Sequence, residues 1–137
     1  MRYFIVADAP IPLVASAFPS HYNQFMAETL MPGAPFDHGA MVLVTLNSPR
    51  EKFWGAVLAM TVAGVCVRGI SLESFDDFAH QIKTGESADP AVVFFPMHRL
   101  ERIELDARYG EVPSLSERFL GKSGQNAIEV FYREVGG

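Results

Sequence analysis

Three apolar runs between residues 41 and 70 have the pattern of short β-strands. Apolar side chains alternate in the first and third runs, and the second is apolar on both faces. Tight-turn residues separate the runs, with Asn47 to Arg50 in the first turn and Ala63-Gly64 in the second. Three strands joined in this way predict an antiparallel meander, with strands at Met41 to Leu46, Phe53 to Thr61 and Val65 to Ile70.

The hydrophobic period changes to that of a helix in residues 71–83. Leu72, Phe75, Phe78, Ala79 and Ile82 form an apolar stripe, and acidic residues occupy the other face. This pattern predicts a helix that is inserted between strands and packed over one face or mouth of the sheet. The alternative is that the stripe binds a partner.

Two further strands are predicted at Ala91 to Phe95 and Arg99 to Leu105, separated only by Pro96-Met97-His98. Proline fixes φ and cannot donate a hydrogen bond to a strand ladder. We therefore expect a tight 3₁₀-like corner that turns the chain in a new direction. Such a corner would fold a five-stranded sheet back on itself.

The terminal segments contain weaker patterns. Arg2 to Ala7 predicts a short strand, and Ser20 is a candidate cap for a short helix. Ser114 and Glu117 have capping-box spacing, and Gly121 is the expected end of the helix that they begin. Residues 127–133 fit either a strand or a helix.

The expected fold class is mainly β with short helices, in a single domain of 137 residues. Residues 40–106 form the predicted barrel core, with the helical insertion at 71–83. Residues 1–39 and 107–137 are extensions of that core. The length is sufficient to bury a hydrophobic core without disulfides.

The five-strand pattern resembles the Sm-like fold of Sm, LSm and Hfq proteins, a small, strongly bent, SH3-like barrel, over residues 40–106. The first similar motif is Val42 to Ser48 followed by Phe53 to Leu58, which has a glycine part-way along its second strand. The second is Val93 to Ile103, which contains the proline corner. Where Hfq has a Tyr-Lys-His triplet, this chain has Pro96-Met97-His98 and keeps only the histidine.

The resemblance implies two kinds of site. One is an RNA site formed by Asn47, His98 and Arg99, since corner residues of Sm-like proteins contact RNA. The other is an interface between copies, because Sm-like domains pair the fourth strand of one copy with the fifth strand of its neighbour. In that case Trp54, Phe94 and Phe95 would be interface residues.

The charge and the cysteine content limit the classes of function. A formal net charge of −5 argues against a protein whose affinity comes mainly from neutralising nucleic-acid phosphates. The single cysteine, Cys66, cannot form an internal disulfide, which favours a reducing compartment and predicts a cytoplasmic protein. No apolar run is long enough to predict a membrane span.

The sequence contains no pattern typical of a catalytic or metal site. The four histidines show no i, i+4 pair, and no Gly-x-Ser-x-Gly elbow frames a nucleophile. We therefore expect no catalytic residues, metal or cofactor. The leading hypothesis is a non-enzymatic, self-assembling interaction or scaffold module. An RNA-binding protein is the alternative, and a small-molecule-binding domain or enzyme is the second alternative.

Overall fold

The computed structural model describes residues 35–132, which contain one five-stranded antiparallel sheet and three short helices. The order of the strands across the sheet is β4-β3-β2-β1-β5. The predicted class, mainly β with short helices, is confirmed, as are the five strands. The strands are β1 (Met41–Leu46), β2 (Glu51–Thr61), β3 (Gly64–Ser71), β4 (Ala91–Pro96) and β5 (Leu100–Leu105).

Helix α1 (Phe75–Lys83) is the insertion that the apolar stripe predicts, and it is preceded by a 3₁₀ turn at Leu72–Ser74. Its buried residues are Phe75, Phe78 and Ala79. The stripe therefore packs on the sheet, as expected, within the protein's own core.

Helix α2 (Leu115–Ser123) begins with the predicted capping box, in which the side chains of Ser114 and Glu117 each accept the other residue's backbone N–H. Its end differs from the prediction. The helix passes through Gly121 and ends before Gly124, which has a φ of 80°. A glycine adopts this left-handed conformation without steric strain, which is why it ends the helix.

Helix α3 (Ala127–Phe131) settles the segment that the sequence left open between strand and helix. The strand predicted at Arg2 to Ala7 and the helix predicted from Ser20 lie outside the described residues.

The sheet is strongly curved, because its two edge strands are joined by only three residues. A 3₁₀ turn at Met97–Arg99, the corner turn, connects β4 to β5. It spans only about 6 Å, whereas the edges of a flat five-stranded sheet would be roughly 19 Å apart. The rings of Phe53 and Phe95, from β2 and β4, are also 5.2 Å apart across the concave side.

The curvature stops short of closure. β4 and β5 are the two edges of the sheet, and no pairing joins them within residues 35–132. The sheet is therefore not closed into a barrel, which corrects that part of the sequence prediction.

The inner core fills the concave side of the sheet. It is built mainly from aliphatic side chains that alternate along β1, β2 and β3, with Phe95, Leu100 and Ile103 packed against them. This core holds the curved sheet together, and its fully buried members include Val42, Val44, Leu46, Val57, Val65 and Val67.

The outer core lies between the opposite face of the sheet and the three helices. Trp54 is at its centre, and the ring of Trp54 lies 4.7 to 5.6 Å from those of Phe75, Phe119 and Phe131. β2 therefore contributes to both cores, which explains why its sequence is apolar on both faces.

β2 and β3 approach each other unusually closely at Gly55 and Gly69, which are paired in the sheet. A Cβ atom on Gly55 would lie 2.7 Å from the Cα of Gly69, and it would also clash with the carbonyl of Arg68. Only glycine fits at either position.

Candidate functional site

The corner turn brings together two of the three residues predicted to contact RNA. The guanidinium of Arg99 donates hydrogen bonds to the carbonyl oxygens of Asn47 and Pro49, the latter at 2.9 Å. It also lies 3.3 Å from a carboxylate oxygen of Glu51. The backbone N–H of Asn47 donates to the Arg99 carbonyl. Arg99 therefore ties the corner turn to the β1–β2 turn, and its charge is already partnered.

His98 differs from Arg99 in being exposed at the tip of the corner turn. The neighbouring Met97 is also exposed and donates its backbone N–H to the carbonyl of Ala63 in the β2–β3 turn. The corner thus presents one histidine and one apolar side chain to solvent.

Trp54 lies in the outer core and has no exposed surface. Its indole N–H donates a 3.0 Å hydrogen bond to Oδ2 of Asp106, just beyond β5. Asp106 also accepts the backbone N–H groups of Leu115 and Ser116, at the start of α2, and the Ser116 hydroxyl. Trp54 therefore helps to fasten α2 to the sheet and has no surface that a neighbouring copy could contact.

Phe94 and Phe95 point to opposite faces of β4. Phe95 packs into the inner core against Phe53. Phe94 is 52% exposed, and Val92, two residues earlier on the same face, is 55% exposed. Of the three aromatic residues predicted at an interface, Phe94 is the one that presents a large surface to solvent.

The exposed apolar side chains of β4 lie on a strand whose outer edge is unpaired within residues 35–132. Backbone N–H and C=O groups at an open edge can pair with a strand from another chain. Val92 and Phe94, together with this open backbone, define what we call the β4 edge. It is the strongest candidate site in the described part of the chain.

Arg68 lies one strand in from the β4 edge, paired with Val92 in the sheet. It is only 9% exposed, and its Nε atom is buried without a hydrogen-bond partner among the described residues. A buried charge normally has a hydrogen-bonding or ionic partner.

The residues that the structure describes contain no group of three His, Cys, Asp or Glu side chains able to hold a metal ion. Burial raises the pKa of the Cys66 thiol, which keeps it protonated and weakly nucleophilic.

Sequence reasoning missed Asp106 and Arg68. The partners of Asp106 come from β2 and α2, so no local motif reveals them. Arg68 is a charged residue inside the apolar run Val65 to Ile70, and this position could have been noticed in the sequence, since arginine is seldom fully buried.

No helix within residues 35–132 has the length and apolar character needed to cross a membrane. No protein-family model matches the chain, and no curated protein or solved structure shows significant similarity to it.

Proposed function

We propose that this protein is a non-enzymatic module that assembles with copies of itself through the β4 edge and acts as an interaction or scaffold unit. The observation that carries the proposal is a strand edge that is unpaired among residues 35–132 and that exposes Val92 and Phe94. Natural proteins usually blunt such edges with charges, prolines or a covering element. Among the described residues, the only such device on β4 is Pro96, at its last residue.

An Sm-like architecture agrees with this proposal. β5 lies beside β1 at one edge, β4 lies at the other, and a three-residue 3₁₀ turn joins them. A molecule with two different open edges can pair them head to tail, and such contacts close into rings when the rotation permits. The proposed assembly is therefore a ring in which β4 of one copy pairs with β5 of the next.

The mass of the full chain in solution, measured by light scattering and native mass spectrometry, tests this proposal. We expect an oligomer that Phe94→Asp converts to monomer, because the change would bury a charge against the neighbouring strand. Leu120→Asp is the matched control, since Leu120 is 50% exposed on α2, away from the β4 edge. A monomeric wild-type chain, or equal effects of both variants, would contradict the proposal.

RNA binding at the corner turn is a second candidate, favoured by the exposed His98, which precedes the Arg99 that contacts Asn47. The internal hydrogen bonds of Arg99 weaken it. Titration of a fluorescent single-stranded RNA at about 50 and 200 mM salt tests it, because phosphate contacts make affinity strongly salt-dependent. Salt-sensitive binding that His98→Ala weakens would support this candidate, and no binding at either salt concentration would reject it.

A further inference from the structure

The two edge strands, β4 and β5, run in the same direction within one copy. Each pair of neighbouring strands in the order β4-β3-β2-β1-β5 is antiparallel, and four such pairs separate the two edges. A second copy can therefore place its β5 antiparallel to β4 only when that copy is turned over. The concave side of the second copy then continues the outer side of the first, which carries the helices.

Val92 and Phe94 lie on the outer side of the sheet. Val92 is paired with Arg68, which is paired with Ala56 of the outer core, and Phe94 is two residues further along β4. Val92 is 55% exposed and Phe94 is 52% exposed. Directly opposed residues of an antiparallel pair share one face. The side chains that meet these two must therefore come from the concave side of β5 in the turned copy.

The concave side of β5 is apolar. Leu105 is paired with Val42 of the inner core, and Ile103 is paired with Val44. Leu105 is 44% exposed, although it faces the same side as that core. A turned copy therefore offers an apolar strand face to the exposed side chains of β4.

One register of the two strands matches these apolar side chains to each other. In this register Val92 lies opposite Leu105 of the second copy. Phe94, two residues along, then lies opposite Ile103. Sliding the strands by two residues in one direction would place Phe94 opposite Glu101, and sliding them in the other would place Val92 beyond the end of β5. A slip by one residue would move every side chain to the wrong face.

The charges that flank the two strands agree with this register. Asp89 lies three residues before Val92, and Arg108 lies three residues after Leu105. Both side chains are exposed, so the antiparallel arrangement brings a carboxylate of one copy towards a guanidinium of the next. Exposed ion pairs add little affinity, but complementary charges favour one orientation of approach.

We propose that the exposed face of β4, formed by Val92 and Phe94, packs on the concave face of β5 in a second copy that is turned over. Leu105 opposite Val92 is the contact that defines the register. This inference rests on the proposed function, because it requires assembly through the β4 edge. It gives Leu105 a place in the interface, and it makes the two sides of the sheet alternate from one copy to the next.

Disulfide cross-linking in the full-length protein tests which face of β5 meets Val92. In a Cys66→Ala background, Val92→Cys copies mixed with Leu105→Cys copies should form an intermolecular disulfide, because directly opposed Cα atoms lie about 4.5 to 5.5 Å apart. Intact mass identifies the mixed product. Glu104→Cys is the matched control, one residue away on the other face of β5, and cysteines whose Cβ atoms point apart are not bridged without backbone movement. An equal or higher yield with Glu104→Cys would overturn the arrangement.

The affinity between copies tests the same contact without cysteines. Leu105→Ala should raise the dissociation constant about tenfold, because it removes a large apolar side chain from the contact. Combining it with Val92→Ala should give less than the product of the two separate effects, since the two side chains touch. Leu120→Ala is the control, at a half-exposed leucine on α2. Equal effects of Leu105→Ala and Leu120→Ala would contradict the proposed contact.

The outcomes separate the two proposals. A wild-type chain that stays monomeric would overturn the proposed self-assembly itself. An oligomer that Phe94→Asp dissociates, but that cross-links equally through Leu105→Cys and Glu104→Cys, would overturn only the turned-over arrangement.

Discussion

At the scale of single residues, Asp106 connects elements that are distant in sequence. One carboxylate accepts hydrogen bonds from the indole of Trp54 on β2 and from the backbone N–H groups that begin α2. These N–H groups have no partner within the helix, so a carboxylate that accepts their hydrogen bonds acts as a cap. Its negative charge also interacts favourably with the helix dipole. Asp106 therefore couples the helical layer to the sheet.

Asp106→Ala should lower the free energy of unfolding by about 2 kcal/mol, because it removes a helix cap and leaves the indole N–H without an acceptor. Trp54 is the only tryptophan, so its fluorescence reports this site directly during urea denaturation. Glu111→Ala, at an exposed acidic residue, is the control and should change stability little. Equal stability of the two variants would show that Asp106 does not fasten α2.

Glu117 should make the stability of α2 depend on pH. The backbone N–H of Ser114, followed by contacts with Arg108, lowers the pKa of the Glu117 carboxyl below its usual 4.5. A carboxyl with a lowered pKa in the folded state stabilises the protein above its unfolded pKa, and this contribution is lost as the pH falls through the folded pKa.

Replacing Glu117 by Gln should therefore flatten the loss of stability below about pH 4.5. Thermal midpoints measured from pH 7 to pH 3 check this expectation. Glu86→Gln provides the comparison, because Glu86 lies in the loop after α1. A pH profile of the Glu117 variant identical to that of the wild-type chain would contradict the proposed origin of the shift.

At the scale of elements, local sequence patterns predicted those parts of the fold that depend on local contacts. The capping box at Ser114, the helix in residues 71–83 and the 3₁₀ corner all follow from neighbouring residues. The burial of Trp54 could not be predicted in this way, because helices distant in sequence cover it. The end of α2 at Gly124 rather than Gly121 depends on backbone conformation, which the residue type alone does not determine.

Gly55→Ala should destabilise the sheet by 3 kcal/mol or more, on the order of other severe steric changes, because the new Cβ would meet the backbone of β3. Gly121→Ala is the matched control. Gly121 lies inside α2 with nothing within 4 Å of an added Cβ, so alanine there should stabilise by about 0.5 to 1 kcal/mol. Chemical denaturation of both variants measures the contrast, and a tolerated Gly55→Ala would contradict the close approach of the two strands.

At the scale of the whole molecule, the sheet packs against two cores, and its two edges are unpaired within residues 35–132. The sequence predicted the strands and the inserted helix, but it also predicted a strongly bent barrel, whereas the sheet is not closed into a barrel. Closure depends on how far the sheet curls and on whether the edges meet, and alternating apolar residues do not encode either property. The arrangement of the candidate site, with Phe94 exposed and Arg68 buried beside the edge, likewise depends on the whole sheet.

Thermal stability should rise with protein concentration if assembly at the β4 edge occurs, because association stabilises the folded state by mass action. We expect the thermal midpoint of the wild-type chain to increase between about 1 and 100 μM, and that of Phe94→Asp to stay constant. Differential scanning fluorimetry at several concentrations provides the measurement. A midpoint independent of concentration in both proteins would argue against assembly in this range.

The pairing of β1 with β5 also bears on the order in which the chain folds during synthesis. β1, β2 and β3 are joined by short turns and can pair as soon as they leave the ribosome. Leu105 pairs with Val42, so the last strand must wait until α1 and β4 have been made. Pairs between residues so far apart in sequence form slowly. Until then, the edge of β1 is open on the nascent chain, and this is the stage at which binding by a chaperone would protect the protein most.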